Sequence, residues 1–254
     1  MEHISASQIN MYLKCPQQWA FRYIEGLKSP PGAALTLGSC FHSATGENYK
    51  QKVESKTDLP EADVCDIFSD QFEFAKHETA WFEDEKPGEV KDTGIETLKV
   101  YHSVISPEVQ PGQVEMKFQL DFKNLDEKFI GYVDLLDEKG LIIETKTTSR
   151  KPSEISHDHK LQTTAYSVGY RTKYKKQESG ARVDYAVNKK EPEIVSMPLE
   201  ITAQDMDYFL TIVPRVLDAI KAGVFIPNRG HFLCSQRWCG YAELCMKRNG
   251  GFVK

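Results

Sequence analysis

Two runs rich in apolar and β-branched residues, Phe129–Leu136 and Leu141–Thr147, flank the tetrapeptide Asp137-Glu138-Lys139-Gly140. So short a connection cannot carry the chain back for parallel pairing, which takes a dozen or more residues, so the two runs form an antiparallel hairpin. If Leu136 faces Ile142, then Asp134 falls opposite Glu144 and Tyr132 opposite Lys146. All four lie on one face, because side chains alternate along a strand. Directly opposed residues have Cβ atoms about 4.5–5.5 Å apart. Two carboxylates at that distance repel unless a cation or a shared proton lies between them. A hard divalent ion, Mg²⁺ or Mn²⁺, meets the need, since Mg²⁺ takes one or two carboxylates and leaves its other positions for water and phosphate. Lys146 would sit beside such an ion, able to orient or help deprotonate a water, or to neutralise charge on a phosphate. On composition alone, a surface hairpin bearing charges of both signs has the same residues.

The rest of the pattern gives the hairpin a setting. Strict alternation of Val114, Met116, Phe118, Leu120 and Phe122 with polar residues marks a strand before it. Further strands are expected at Arg182–Val187 and Glu193–Leu199. A helix with serine caps is read over Ser5–Leu13. A second starts at Pro16, placing Cys15 at its N-terminus. Further helices are read over Gly38–Ser55, Ala62–Ala80 and Asp92–Val104. Ser153 is expected to cap a helix reaching Lys176, and Thr202 with Asp205 a helix to Ala222. The expected architecture is α/β: a central mixed β-sheet with the antiparallel hairpin, flanked by helices, with an N-terminal helical part and a C-terminal extension that folds back on it.

The 254 residues carry a formal net charge of −5, 40% are hydrophobic and six are cysteine. That is enough chain for a buried core without disulfides, and it excludes disordered, collagenous and coiled-coil classes. No apolar run approaches the roughly 18 residues of a membrane span, and the start lacks the basic and apolar segments of a signal peptide. An intracellular protein with reduced thiols and no membrane partner is expected. The charge is unevenly spread. Glu54–Glu96 holds fourteen acidic against four basic residues, whereas Lys146–Lys176 holds eight basic against two acidic. A basic run is what phosphate binding needs, and also what a solvated helix face shows. No Walker A loop is present, so any unwinding of a duplex falls to a partner.

Cys234, Cys239 and Cys245 cluster near the C-terminus, and Cys15 supplies a fourth thiol. In an intracellular chain such a set argues for metal rather than disulfide, and both zinc and a cubic iron–sulfur cluster accept four thiolates. Cys40 and Cys65 are read as buried small residues.

Four motifs in order give the chain a family resemblance. Gly38-x-x-x-His42 on a helix, Gly131-x-x-Asp134, Glu144-Thr145-Lys146 and Gln162-x-x-x-Tyr166 resemble those of the PD-(D/E)XK nuclease superfamily. Within it they are similar to the branch of RecB- and AddB-type nuclease domains and the iron–sulfur exonucleases of CRISPR adaptation. The resemblance implies a restriction-endonuclease-like core spanning 1–254 as one nuclease domain. Its parts would be 1–112 (helical, with the first cluster cysteine), 113–200 (catalytic sheet and QxxxY helix) and 201–254 (helix and cysteines). It further implies that Asp134, Glu144 and His42 are metal ligands with the Thr145 carbonyl as an extra one, that Lys146 is the catalytic lysine, and that Gln162 and Tyr166 position the substrate.

Glu115 sits where relatives often carry a glutamate, although it also belongs to the polar set of any half-exposed strand. His42, without the family pattern, would read as a packed or surface histidine. Glu144 stands where this branch often has Asp, and Glu47 is offset from the expected glutamate. By the same resemblance Cys15, Cys234, Cys239 and Cys245 hold a 4Fe–4S cluster, with zinc as the alternative; the gap between Cys234 and Cys239 is four residues where many relatives have two.

Arg150, Lys151, Lys160, Arg237 and Trp238 are candidate DNA contacts, with Tyr241, Lys247 and Arg248 nearby, and His157 and His159 are read as solvated or phosphate-contacting. The implied function is a Mg²⁺- or Mn²⁺-dependent DNA exonuclease acting on linear ends or single strands in recombination, repair, phage DNA processing or CRISPR adaptation. A helicase, recombinase or CRISPR-adaptation protein would be its partner, and the setting the cytoplasm of a prokaryote or of a phage's host. The rivals are a site-specific or structure-specific endonuclease and a non-catalytic DNA-binding or assembly module.

Overall fold

The computed structural model describes residues 3–123 and 125–251. In chain order the elements are β1 (His3–Ile4), α1 (Ala6–Lys14), α2 (Pro16–Tyr23), α3 (Ala33–Ser55), α4 (Glu61–Ala75), α5 (Pro87–Val104), β2 (Pro111–Asp121), β3 (Lys128–Asp137), β4 (Leu141–Thr148), α6 (His157–Tyr174), β5 (Gly180–Val187), β6 (Glu193–Leu199), α7 (Ala203–Lys221) and α8 (Ala242–Asn249). The strands form a mixed sheet in the order β1-β3-β4-β5-β6, with β2 paired to β3. The fold is thus α/β with a mixed sheet and flanking helices, as read from the sequence.

The chain divides into two compact units, each built from separated segments. The larger comprises Pro31–Phe118 and Tyr132–Ile201; the smaller comprises Met1–Pro30, Gln119–Gly131 and Thr202–Lys254. In the larger unit the hairpin takes the expected register, with Leu136 paired to Ile142 and Leu135 to Ile143. β4 then pairs in parallel with β5 from Leu141↔Gly180 to Thr148↔Val187, and α6 is the crossover that a parallel pair requires. β6 returns antiparallel to β5.

Alternation along β4 decides what each face meets. Ile143 joins a core with Phe41, Phe68, Phe72, Leu98 and Tyr101 from α3, α4 and α5. Each large side chain buried in this way contributes about 1.5–3 kcal/mol. Glu144 and Lys146 point to the opposite face of the sheet, where Tyr166 of α6 feels the Glu144 charge. Gly169 lets α6 close on β2, because a Cβ there would lie 2.3 Å from the Phe118 ring.

In the smaller unit β1 pairs in parallel with the start of β3. Trp19, fully buried, packs against Tyr12 and Phe225. The Tyr12 hydroxyl donates to the Val224 carbonyl at 2.6 Å, and that of Tyr241 to Leu27 at 2.8 Å. These bonds tie α1 and the segment after α2 to the C-terminal segment. The Thr202–Asp205 capping box is present in full at the start of α7.

Several boundaries differ from expectation. α3 starts at Ala33 rather than Gly38, because Ala33, Leu37, Phe41 and Ala44 continue one buried stripe. α5 starts at Pro87 rather than Asp92, since proline is pre-set for a first helical turn. α4 ends at Ala75 and gives way to a 3₁₀ turn over Lys76–Glu78. α6 is capped by Ser156, whose Oγ accepts from the His159 amide, rather than by Ser153. β1 and α8 were not anticipated. No helix among the described residues is long and apolar enough to cross a membrane.

Candidate active site

α3, β3, β4 and α6 of the larger unit bring the motif residues together. Gly38 permits the approach of α3, since a Cβ there would stand 3.1 Å from Thr147 Oγ1 on β4. One turn further on, His42 Nε2 lies 2.6 Å from the Thr145 carbonyl oxygen. A carbonyl can only accept, so Nε2 carries the proton and Nδ1 presents a lone pair. Burial lowers the His42 pKa, against the pull of Glu144, and keeps the ring neutral.

His42 Nδ1 faces Asp134 Oδ2 at 3.6 Å, too far for a hydrogen bond. Asp134 Oδ2 and Glu144 Oε2 are buried with no hydrogen-bond partner among the described residues. The Glu144 side chain has no solvent exposure, and its Oε1 forms an ion pair with the Lys146 ammonium. Burial, then the Glu144 charge, raise the Asp134 pKa well above the usual carboxylate range despite Lys146. Burial by itself would lower the Lys146 pKa, but Glu144 and Asp134 outweigh it and raise it. Lys146 is therefore a cation at neutral pH.

Two buried carboxylate oxygens without a partner, Asp134 Oδ2 facing the imidazole lone pair and Glu144 Oε2, are hard donors of the kind that a divalent cation satisfies. They are not pre-set. Among the described residues no group of three or more His, Cys, Asp or Glu side chains is arranged to hold a metal ion as it stands. A cation would have to draw the donors in, with the Thr145 carbonyl keeping a second lone pair beyond its bond from His42.

The helix motif meets this site from the other side. Gln162 Nε2 donates to the Tyr166 hydroxyl at 2.6 Å. Burial, then the charges of Glu144 and Asp134, push the Tyr166 pKa far up. Tyr166, bonded to Gln162, thus stands next to Glu144. Behind the strand, a chain of buried hydroxyls runs from Tyr49 through Tyr101 to Thr145 Oγ1, with 3.2 Å at each step. The tyrosine spacings on α3 and α5 looked like ordinary core positions, and nothing in them revealed this chain.

Glu115 lines the same cavity as His42 and Asp134. Its backbone is left-handed, with φ 51°, which costs a residue with a side chain of order 1–3 kcal/mol. Its carboxylate is held 3.0 Å from Lys50, which also contacts Glu47 at 3.1 Å. Arg150 and Lys151 are exposed beyond β4, and Lys160 is half-buried on α6. Lys151 pairs with Glu193 at 2.9 Å.

In the smaller unit Cys15, Cys234, Cys239 and Cys245 line one cavity, and Cys15 is the N-cap of α2 as read. Burial, with the other three cysteines adding, raises the Cys239 pKa. The Asn228 amide points at Cys15 Sγ (3.4 Å) and the Asn249 side chain at Cys245 Sγ (3.6 Å). The donor set suits a thiolate-bound centre, although these cysteines too fall short of a ready metal-holding group. Arg237 lies over the ring of exposed Trp238, 5.3 Å from its centroid. Cys40 is buried, and Cys65 only partly so.

The four motifs and the hairpin that joins them define a class of phosphodiester-cleaving proteins. A family model of the PD-(D/E)XK nuclease superfamily matches residues 3–246, and the chain belongs to that superfamily. Its members are hydrolases acting on nucleic acid and generally use divalent metals. The structure is similar to that of a protein named "Putative exonuclease" from Eubacterium rectale, with TM-score 0.62 and 14% identity, covering 100% of this chain and 90% of that one. At that identity the likeness shows the fold. The crystal structure of SSO0001 aligns at 13% identity over 95% of this chain and 97% of that one, with TM-score 0.41, too remote to argue from. No curated protein sequence matches the chain.

The elevated Asp134 pKa fixes a sign. The folded state binds a proton that the unfolded state releases, so stability falls as pH rises from the ordinary carboxylate pKa towards the raised value. In a chelating buffer at about pH 7, Asp134→Asn should raise the thermal unfolding midpoint by about 2–4 °C. The gain should shrink as pH is lowered towards about 4. An equal or lower midpoint at neutral pH contradicts the assignment.

Proposed function

We propose that the protein is a Mg²⁺- or Mn²⁺-dependent deoxyribonuclease, acting as an exonuclease on linear DNA ends or single strands. The observation that carries this reading is the buried carboxylate pair Asp134 and Glu144, each with one unpartnered oxygen, beside a cationic Lys146 in a chain of this superfamily. Asp134, Glu144, His42 and the Thr145 carbonyl would hold the ion, with Glu115 close enough to join. When bound, the ion supplies Lewis-acid activation of water and neutralises phosphate charge.

The remaining work falls to the chain's own residues. Lys146, kept protonated by its two carboxylate neighbours, acts as a fixed cation for the charge that develops on the phosphate, a role suited to its raised pKa. Tyr166, with Gln162 behind it, holds Glu144 in place. Neutral His42 fixes the Thr145 carbonyl. Arg150, Lys151 and Lys160 follow the catalytic strand and open its helix, where they would track the DNA backbone. The motif order supports a place in the RecB- and AddB-like or CRISPR-adaptation branch, with a helicase, recombinase or adaptation protein as partner.

Cys15, Cys234, Cys239 and Cys245 would hold a 4Fe–4S cluster that pins α2 to the C-terminal segment within the smaller unit. The shared cavity and the amides directed at two of the sulfurs support this. Arg237 and the exposed Trp238 beside it would stack on and contact a single strand.

Digestion of end-labelled linear and circular DNAs with Mg²⁺ and with Mn²⁺ tests the activity. Linear DNA should be degraded from its ends, and Asp134→Ala or Lys146→Ala should lower the rate by at least about a hundredfold. Cleavage of circles would point instead to an endonuclease, and binding without cleavage to an assembly module. Unchanged rates in both variants would overturn the site. Protein purified without oxygen should be brown with broad visible absorption, whereas a colourless protein with stoichiometric zinc would reject the cluster.

A further inference from the structure

The face of α6 that carries Gln162 and Tyr166 carries a third side chain, His159, three residues before the first and seven before the second. Its Nδ1 lies 2.9 Å from the Tyr185 hydroxyl, and the two rings stand 5.6 Å apart. Tyr185 is 3% exposed. It is the register partner of Lys146 in the parallel β4–β5 pair, so the two side chains stand side by side on the face of the sheet that α6 covers. The Ser156 backbone also bonds the phenol oxygen. The phenol and the imidazole share one hydrogen bond, the donor set by the His159 tautomer. The Lys146 ammonium is thus bounded along its own strand by Glu144 and across the sheet by Tyr185.

Resting on the nuclease reading, we propose that Tyr185 and His159 are a positioning pair for the catalytic lysine. The phenol, held from α6 by His159 and Ser156, walls the lateral side of Lys146. The same bond closes the first turn of α6 onto β5, which sets the height at which Gln162 and Tyr166 meet Glu144. Half-buried His159, which the sequence reads as solvated or phosphate-contacting, has its Nδ1 engaged by Tyr185.

The test uses Tyr185→Phe, which removes one oxygen and keeps the ring, His159→Ala, and the double variant. Thr164→Val is the control, because the Thr164 hydroxyl is buried in the same helix and donates to the Lys160 carbonyl. Each single variant should lower kcat by about tenfold to a hundredfold with KM for DNA within about twofold. The double variant should be no worse than the worse single one, and Thr164→Val unchanged. A second readout does not depend on activity: the rate at which acetic anhydride labels Lys146, followed by mass spectrometry, should change severalfold in Tyr185→Phe and not in Thr164→Val. Turnover within about twofold of wild type in either single variant, or unchanged Lys146 labelling in Tyr185→Phe, overturns the proposal. If the wild-type protein cleaves no DNA, the nuclease reading falls and the labelling alone decides the pair.

Discussion

Two carboxylates that cannot both be charged without help stand at the centre of this structure. Asp134 and Glu144 are brought to adjacent strands by a hairpin whose four-residue turn allows little choice of register. Asp134 Oδ2 and Glu144 Oε2 are buried without hydrogen bonds, an arrangement that costs folding energy wherever nothing offsets it. Lys146 offsets part of it through its ion pair with Glu144. The remainder appears as the raised proton affinity of Asp134, which on the proposed reading a divalent cation would relieve.

Much of the larger unit can be understood as support for that pair. α3 comes close because Gly38 has no side chain to strike Thr147, and His42 then caps the Thr145 carbonyl. The hydroxyls of Tyr101 and Tyr49 secure Thr145 from behind, and α6 delivers Tyr166 to Glu144 and His159 to Tyr185. Buried polar networks of this sort are costly when incomplete and rigid when satisfied. Here the carbonyl and hydroxyls around the carboxylate pair are satisfied.

The local parts of this arrangement were legible in the sequence. The hairpin register followed from turn length and alternation, and the Thr202–Asp205 box from spacing. Gln162 and Tyr166 shared a face because they are four residues apart. What escaped depends on pairing across distant segments. The neighbour of Lys146 is Tyr185 only because β4 and β5 run in parallel in one register, a fact that neither strand carries by itself. The capping residue of α6 shifted from Ser153 to Ser156 because both serines suit the role and only the packed structure chooses. α8 was hidden because a short helix among cysteines and aromatics lacks a long apolar period. The left-handed backbone at Glu115 belongs to a residue type that rarely adopts it, so no sequence rule would place it there.

The central claim is that the buried pair is a divalent-cation site, and Glu144→Gln isolates it. This change keeps the volume and removes one charge. Titration of the protein with Mn²⁺, followed by the loss of the free-ion electron paramagnetic resonance signal, should show saturable binding in wild type and a loss of affinity of at least about tenfold, some 1.4 kcal/mol, in Glu144→Gln. Equal Mn²⁺ affinity in the two proteins would contradict the account.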